Sequence, residues 1–486
     1  MDKGKKLFIA AICLIVIAMG ALIISIIIFQ LPSFVPPLTV QGDVSELLTI
    51  RDVQEVAEPE KTTIDGTLYK TIKLTEVINK VKPTGTVKQI FFVASDGFTA
   101  AIDADNLDTS YIAFSKDNGW LALNPNHPLN ANVKMVQKII FVCDADSSQN
   151  SLTVIKGKNV LNTTVGKLYA GTFTSYPYFE GQATIEHDAT TYKSDIYTRR
   201  RVFKLSDLVF LDKGAQITLL GENGDYKLVD NSGYYQLCGN YLNYIQPKTR
   251  EKMEKVKIAV INQPSANITD AYYDSIHYLI NDENVLIVIL NGFSYGDYED
   301  AIKNGDAPFL KENTVATKSM GFYPLTVNAW LASMLTGFSP AETKVLNTDD
   351  KDLTIDTIFS EATTLGKKAI LLEADSLLNI DGAKIVNDDN SSGTTDDELY
   401  KNLLKSISDA DGLTVVRFDA IGKNSISFGK ESSQYKNSIS QIDNYINKTA
   451  KSWQGKIIVT ALPNSSNNSV LAENLFVPYL ILSGEN

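Results

Sequence analysis

The sequence predicts an α/β protein: a C-terminal parallel sheet sandwiched by helices, preceded by two β-rich modules and one N-terminal transmembrane helix. Three observations lead there. Residues Leu7 to Phe29 form an uncharged apolar run of 23 positions. Short apolar runs bounded by Asp, Gly and Asn turns fill residues 46–250. Beyond residue 255, continuous apolar runs alternate with helical stretches, the pattern of a parallel sheet covered on both faces. The length, 486 residues, suggests roughly three domains.

The N-terminal run is long enough to cross a hydrocarbon core of about 30 Å as a helix. Lys3, Lys5 and Lys6 precede it, which by the positive-inside rule keeps residues 1–6 in the cytoplasm and places the bulk of the chain outside. The segment after Phe29, residues 30–45, begins Gln-Leu-Pro-Ser-Phe-Val-Pro-Pro and has no good Ala-x-Ala cleavage site. It reads as a Pro-rich stalk behind an uncleaved signal anchor in the cell membrane.

Composition narrows the function. With 45 Lys+Arg against 57 Asp+Glu the net charge is −12, which argues against a nucleic-acid binder, since such binding rests on basic groups neutralising phosphates. The Arg triplet at 199–201 is the only basic cluster outside the N-terminus. Three histidines, His127, His187 and His277, lie far apart, and no Cys-x-x-Cys pair occurs, so a zinc-finger or thioredoxin-like site is excluded. Cys143 and Cys238 fall in the external part. Pairing in an oxidising compartment and two separate buried thiols are both open.

The β-rich part divides at residues 46–148 and 149–250. The division rests on a weak repeat: Tyr69–Ile78, an apolar strand and a glycine-turned hairpin, echoed from Arg201 through Gln216–Asp230. Leu74-Thr-Glu-Val-Ile, Ala94-Ser-Asp-Gly-Phe, Ile112–Leu123 and Val136–Val142 together resemble the molybdopterin-binding domain of the sulfite oxidase type. In that family a cysteine ligates molybdenum. This stretch has none before Cys143, and Gln236-Leu-Cys-Gly-Asn lies on the wrong side of the module, so no molybdopterin is expected.

The third region, 255–486, opens after a charged linker. Its expected strands are Val256–Ile261, Val285–Leu290, Lys368–Leu372, Leu413–Phe418 and Lys456–Thr460, and ligands of such sheets sit at the carboxyl ends of the strands. An acidic stretch, Asp388–Glu398, approaches an EF-hand loop, but Glu398 falls one place short of the bidentate position, so it reads as a solvated loop.

Several segments of this region, in order, resemble the alkaline phosphatase superfamily, in its phosphodiesterase and nucleotide pyrophosphatase branch. Val285–Phe293 stands where the family has an apolar strand ending in Asp-Gly, and Tyr323–Pro340 is similar to the nucleophile segment. Arg417-Phe-Asp-Ala-Ile-Gly-Lys423 stands at the Asp-x-x-Gly-His motif, and Ile457–Pro463 where the family continues into Ser-Asp-His-Gly. The resemblance implies a Thr326 nucleophile, with Asn328 bonding a phosphate oxygen, and two metal ions that neutralise the phosphate and activate the hydroxyl. It also implies metal ligands at Asn291, Asp419, Lys423, Leu462 and Pro463, of which only Asp419 is a carboxylate.

A two-metal centre of that kind therefore lacks its donors, and the expectation is a non-catalytic, membrane-anchored pseudoenzyme that binds a protein or cell-surface ligand, with no resident cofactor. The alternative is a divergent phosphoric ester hydrolase using Thr326 and one Zn²⁺ or Mn²⁺. Thr326 also fits a helix N-cap, and Asp419 with Lys423 a local ion pair. A third role for Lys423 is anion binding, its charge replacing that of the metals.

Overall fold

The computed structural model describes residues 36–484, apart from 65, 106, 172–173, 188–189, 314, 390, 392, 408–411 and 465–470. The expected transmembrane helix at 7–29 lies outside the described residues. Among those described, no helix is long and apolar enough to cross a membrane. The chain divides into two compact units. Among the described residues, one comprises Pro36–Gln41, Glu46–Lys82 and Gln89–Ile140; the other comprises Gly42–Ser45, Pro83–Lys88 and those from Phe141 onward.

Among the described residues the strands form four five-stranded sheets and one eight-stranded sheet. The first ten strands, Leu38–Gly42 through Val136–Cys143, make two sheets whose orders by rank are 2-1-10-5-6 and 3-4-7-8-9. The next ten, Ser151–Lys156 through Val256–Ile261, make two sheets with the same ranked order. Each set carries helical turns at corresponding places: Val53–Glu55 and Leu74–Val81 in one, Val165–Tyr169 and Leu205–Asp207 in the other. The hairpin of ranks three and four differs, growing from 5 and 7 residues to 14 and 14 in Thr174–His187 and Thr190–Phe203. At its base Arg200 Nη2 donates to Glu180 Oε1 at 2.6 Å, and Arg201 lies over the Tyr169 ring at 5.8 Å.

One expected strand belongs elsewhere. Val256–Ile261 does not open the C-terminal sheet; it runs parallel to Ser151–Lys156 and antiparallel to Ile217–Gly221. A continuous apolar run satisfies any buried strand position, so its sheet is decided by distant partners that local pattern does not name.

The eight-stranded sheet has the order Ala266–Asn267, Thr317–Met320, Phe476–Ser483, Lys456–Leu462, Val285–Asn291, Gly412–Phe418, Lys368–Glu373, Ala383–Ile385. From Lys456–Leu462 to Ala383–Ile385 every pairing is parallel. The expectation of a wholly parallel sheet fails at Phe476–Ser483, antiparallel to both neighbours.

The central strands carry core on both faces: Val285 through Leu290 are all buried. Helices Asp270–Ile280, Val327–Thr336 and Ile358–Thr364 pack with one another and against the sheet, as do Asp396–Ile407, Ala420–Phe428 and Ser433–Ala450. Val327–Thr336 is buried along its whole length. It seats so closely that a Cβ on Gly321 would lie 2.0 Å from the Trp330 ring, whose Nε1 donates to Phe322 O at 2.8 Å.

Candidate functional site

The parallel strands bring Asn291, Glu373 and Asp419 to neighbouring carboxyl ends, where α/β sheets place ligands. In register Leu290 faces Phe418, and Asn291 faces Leu462. Asn291 Nδ2 donates to Asp419 Oδ1 at 3.2 Å. The approach depends on glycine, because Gly292 has φ +73° and a Cβ there would meet the Gly422 Cα at 2.7 Å. Two of the residues singled out in the sequence therefore meet directly.

The centre of the site is a residue that sequence reasoning passed over. Arg417, in the buried strand Gly412–Phe418, is 1% exposed. Its Nη1 donates to Asp419 Oδ1 at 2.5 Å, and its Nη2 to Asp375 Oδ1 and O, each at 2.7 Å. Its Nε lies 3.4 Å from Glu373 Oε2. A guanidinium here is the cation that the carboxylates require, since a buried charge survives only when paired. Burial lifts the Glu373 carboxyl to about 7 despite the attraction of Arg417. Burial likewise raises Asp419, while Arg417 opposes the shift.

Asp396 completes the arrangement from the stretch that resembled a calcium loop. Its Oδ1 accepts from Asp419 N and its Oδ2 from Ala420 N, both at 3.0 Å, so it holds the first turn of the helix Ala420–Phe428. Burial raises its carboxyl to about 6. Lys423 is exposed on that helix, its amide donating to Asp419 O at 3.0 Å, and its charge lowers the carboxyls of both Asp419 and Asp396.

Thr326 and Asn328 are tied to a different set of loops. Thr326 precedes Val327–Thr336; its Oγ1 accepts from Ala329 N at 3.3 Å and donates to Leu346 O at 3.0 Å, the bonding of an N-cap. Asn328 is 1% exposed, and its Nδ2 faces the carbonyls of Thr348, Asp350 and Leu377 at 2.9, 3.1 and 2.8 Å. It fastens the 346–350 and 377 segments to the helix.

The donor set does not fit a two-metal centre. Asp419 carries Arg417 at hydrogen-bond distance, Asn291 is neutral, Lys423 is a cation, and Leu462 and Pro463 offer no side-chain donor. Among the described residues no group of three or more His, Cys, Asp or Glu is arranged to hold a metal ion. Arg417 was detectable in the sequence as a charge inside the apolar run Leu413-Thr-Val-Val-Arg-Phe. Glu373 and Asp375 carried no such signal, because their nearness to Arg417 comes from the pairing of Lys368–Glu373 with Gly412–Phe418.

No known family's sequence profile matches the chain, and no curated protein matches it. Solved structures show weak likenesses. One is murine ectonucleotide pyrophosphatase/phosphodiesterase 5, in an inactive form in complex with AMP, with a TM-score of 0.31 and 15% identity. It covers 37% of this chain and 57% of that one. Phosphonoacetate hydrolase from Sinorhizobium meliloti 1021, in complex with phosphonoacetate, gives 0.31 and 15%, over 37% and 56%. Human ectonucleotide pyrophosphatase/phosphodiesterase 5 gives 0.30 and 14%, over 37% and 57%. The chain thus spans little more than half the length of the structures it is similar to, and these likenesses lend no support to the molybdopterin resemblance of residues 65–145.

Proposed function

We propose that the chain is a membrane-anchored extracytoplasmic protein whose phosphoesterase-like region is a non-catalytic binding module for a protein or cell-surface ligand. The observation that carries this is the bond from Arg417 Nη1 to Asp419 Oδ1 at 2.5 Å, inside a side-chain cluster that is 2–3% exposed at both partners. The one carboxylate that the family resemblance leaves for a metal already has its cation. Thr326 adds to this: a hydroxyl that donates to Leu346 O has its proton committed to a carbonyl, not to a base that would activate it. The membrane attachment rests on the apolar run at 7–29, and Lys423, exposed near the strand ends, supplies a contact for an anionic group on the ligand.

The test is hydrolysis of bis-p-nitrophenyl phosphate by the full-length protein in detergent, with Zn²⁺ or Mn²⁺ supplied, beside Thr326→Ala. The expected result is the same background rate for both proteins. Metal-dependent turnover abolished by Thr326→Ala establishes the alternative, a divergent phosphodiesterase or phosphatase. Calorimetry with phosphate, sulfate and nucleotides, repeated on Lys423→Ala, tests the anion contact; equal heats in the two proteins refute it.

A further inference from the structure

We infer that a polar cavity beside the sheet of Ser151–Lys156 and Val256–Ile261 is a binding site for one neutral sugar ring. The cavity has a volume of about 230 Å³ and is lined by Ser151, Thr153, Glu222, Lys257 and Tyr323, with the exposed Asn162 and Asp146 also contributing. It shares no lining residue with the strand-end arrangement of Asn291, Asp419 and Lys423, and stands whether or not that arrangement hydrolyses anything.

Strands supply part of the wall. Ser151 and Thr153 are two apart on one strand and so share a face, and Asn162 is the cross-strand partner of Thr153. Lys257 comes from the strand next door, its side chain only 12% exposed. Its Nζ donates to Gln149 O at 2.8 Å and lies 3.4 Å from Glu222 Oε2. An ammonium has three donors, so one is left for an acceptor in the cavity. Burial lowers the pKa of this lysine, the mark of a charge that is short of water.

Ser151 is 8% and Thr153 1% exposed. Neither hydroxyl, nor that of Tyr323, has a protein hydrogen-bond partner among the described residues, although all three residues line the cavity. Their oxygens are not among the atoms sealed from solvent, so these hydroxyls are open to bond a ligand in the cavity that they line.

The chemistry of that occupant follows from charge and size. Two carboxylates, Asp146 and Glu222, stand against one ammonium, so the lining does not favour phosphate, sulfate or a carboxylate. Side-by-side hydroxyls, an amide, a carboxylate and an ammonium match vicinal hydroxyl groups, each of which donates and accepts. The Tyr323 ring offers an apolar wall for a sugar's C–H face. The volume is below the about 300–1,000 Å³ of sites for drug-sized molecules, which limits the occupant to a single ring.

The experiment uses the full-length protein in a detergent without a sugar headgroup, titrated with D-glucose, D-galactose, D-mannose and N-acetyl-D-glucosamine, with inorganic phosphate as counter-probe. Saturation-transfer NMR and calorimetry read binding. At least one sugar is expected to saturate with a Kd of about 1 mM. Thr153→Val is expected to weaken it about tenfold, the effect of one lost hydrogen bond. Asn162→Ala, at an exposed position, is expected to weaken it as well and carries the test if Thr153→Val fails to fold by circular dichroism. Absence of saturable binding for all four sugars, preference for phosphate, or affinities unchanged in the folded variants would overturn the inference.

Discussion

Replacing Arg417 with leucine separates a structural cation from a decorative one. The guanidinium has three carboxylates around it, and their settings differ. Asp375 has a side chain 66% exposed, so its pair with Arg417 is worth about 0–1 kcal/mol. Asp419 is 3% exposed, as an ion pair with a partner 2% exposed, and stripping the cation from such a buried pair costs about 3–5 kcal/mol. Glu373 is wholly buried, but its carboxyl already lies at about 7, so near neutrality it takes up a proton in place of holding a bare charge and adds little. The variant should therefore lose about 3–5 kcal/mol at pH 7.5. For a region of some 150–250 residues that is a drop in Tm of roughly 6–20 °C. Trp330 and Trp453, both buried in this region, report the transition by fluorescence. At pH 5 the loss should shrink, because the orphaned carboxyls then enter the fold protonated. A Tm within about 2 °C of the parent, or a loss of equal size at both pH values, would refute the assignment of Arg417 as the cation of the site.

Other outcomes follow from the same contacts. Burial lifts Glu373 from 4.5 to about 7, and Asp396 and Asp43 from 3.8 to about 6. The folded state thus binds these protons more tightly than the unfolded chain; the stability they contribute is complete below pH 4 and lost as pH rises through 6–7, at roughly 1.4 kcal/mol per pH unit per group. A melting temperature that stays flat or climbs between pH 5 and 7.5 contradicts this. Asn328→Ala should destabilise by about 1–3 kcal/mol through its stranded carbonyls, and Thr326→Ala by about 1 kcal/mol as a lost cap; urea titration showing the reverse order would deny Asn328 its fastening role. Cys143 is free and buried, its thiol pushed up to about 12 by burial and by Asp43. In a Cys13→Ser, Cys238→Ser background it should react with Ellman's reagent only on unfolding, and rapid labelling of the native protein counts against the buried setting.

What could be read from the chain divides by the reach of the forces involved. Val285–Leu290, Leu413–Phe418 and Lys456–Thr460 announce themselves as central strands because burial on both faces demands an unbroken apolar run, and they are adjacent in the sheet. Val256–Ile261 satisfies the same demand and belongs to another sheet, since the run encodes burial and not the identity of the neighbour. Thr326 is a similar case: its N-cap bond to Ala329 spans three residues and was visible, while its bond to Leu346 spans twenty and was not.

The site shows the limit most sharply. Asp419 and Lys423 stand at the spacing of a family motif along the chain, yet the cation that holds Asp419 is Arg417, two residues away and at the same end of the sheet. A lone arginine inside a fully buried strand is a physical demand in its own right: something must neutralise it. In the structure Glu373 and Asp375, from the adjacent strand Lys368–Glu373 and the turn after it, converge on it. A charge inside an otherwise apolar buried strand thus points to a site on physical grounds alone, with no motif needed to read it.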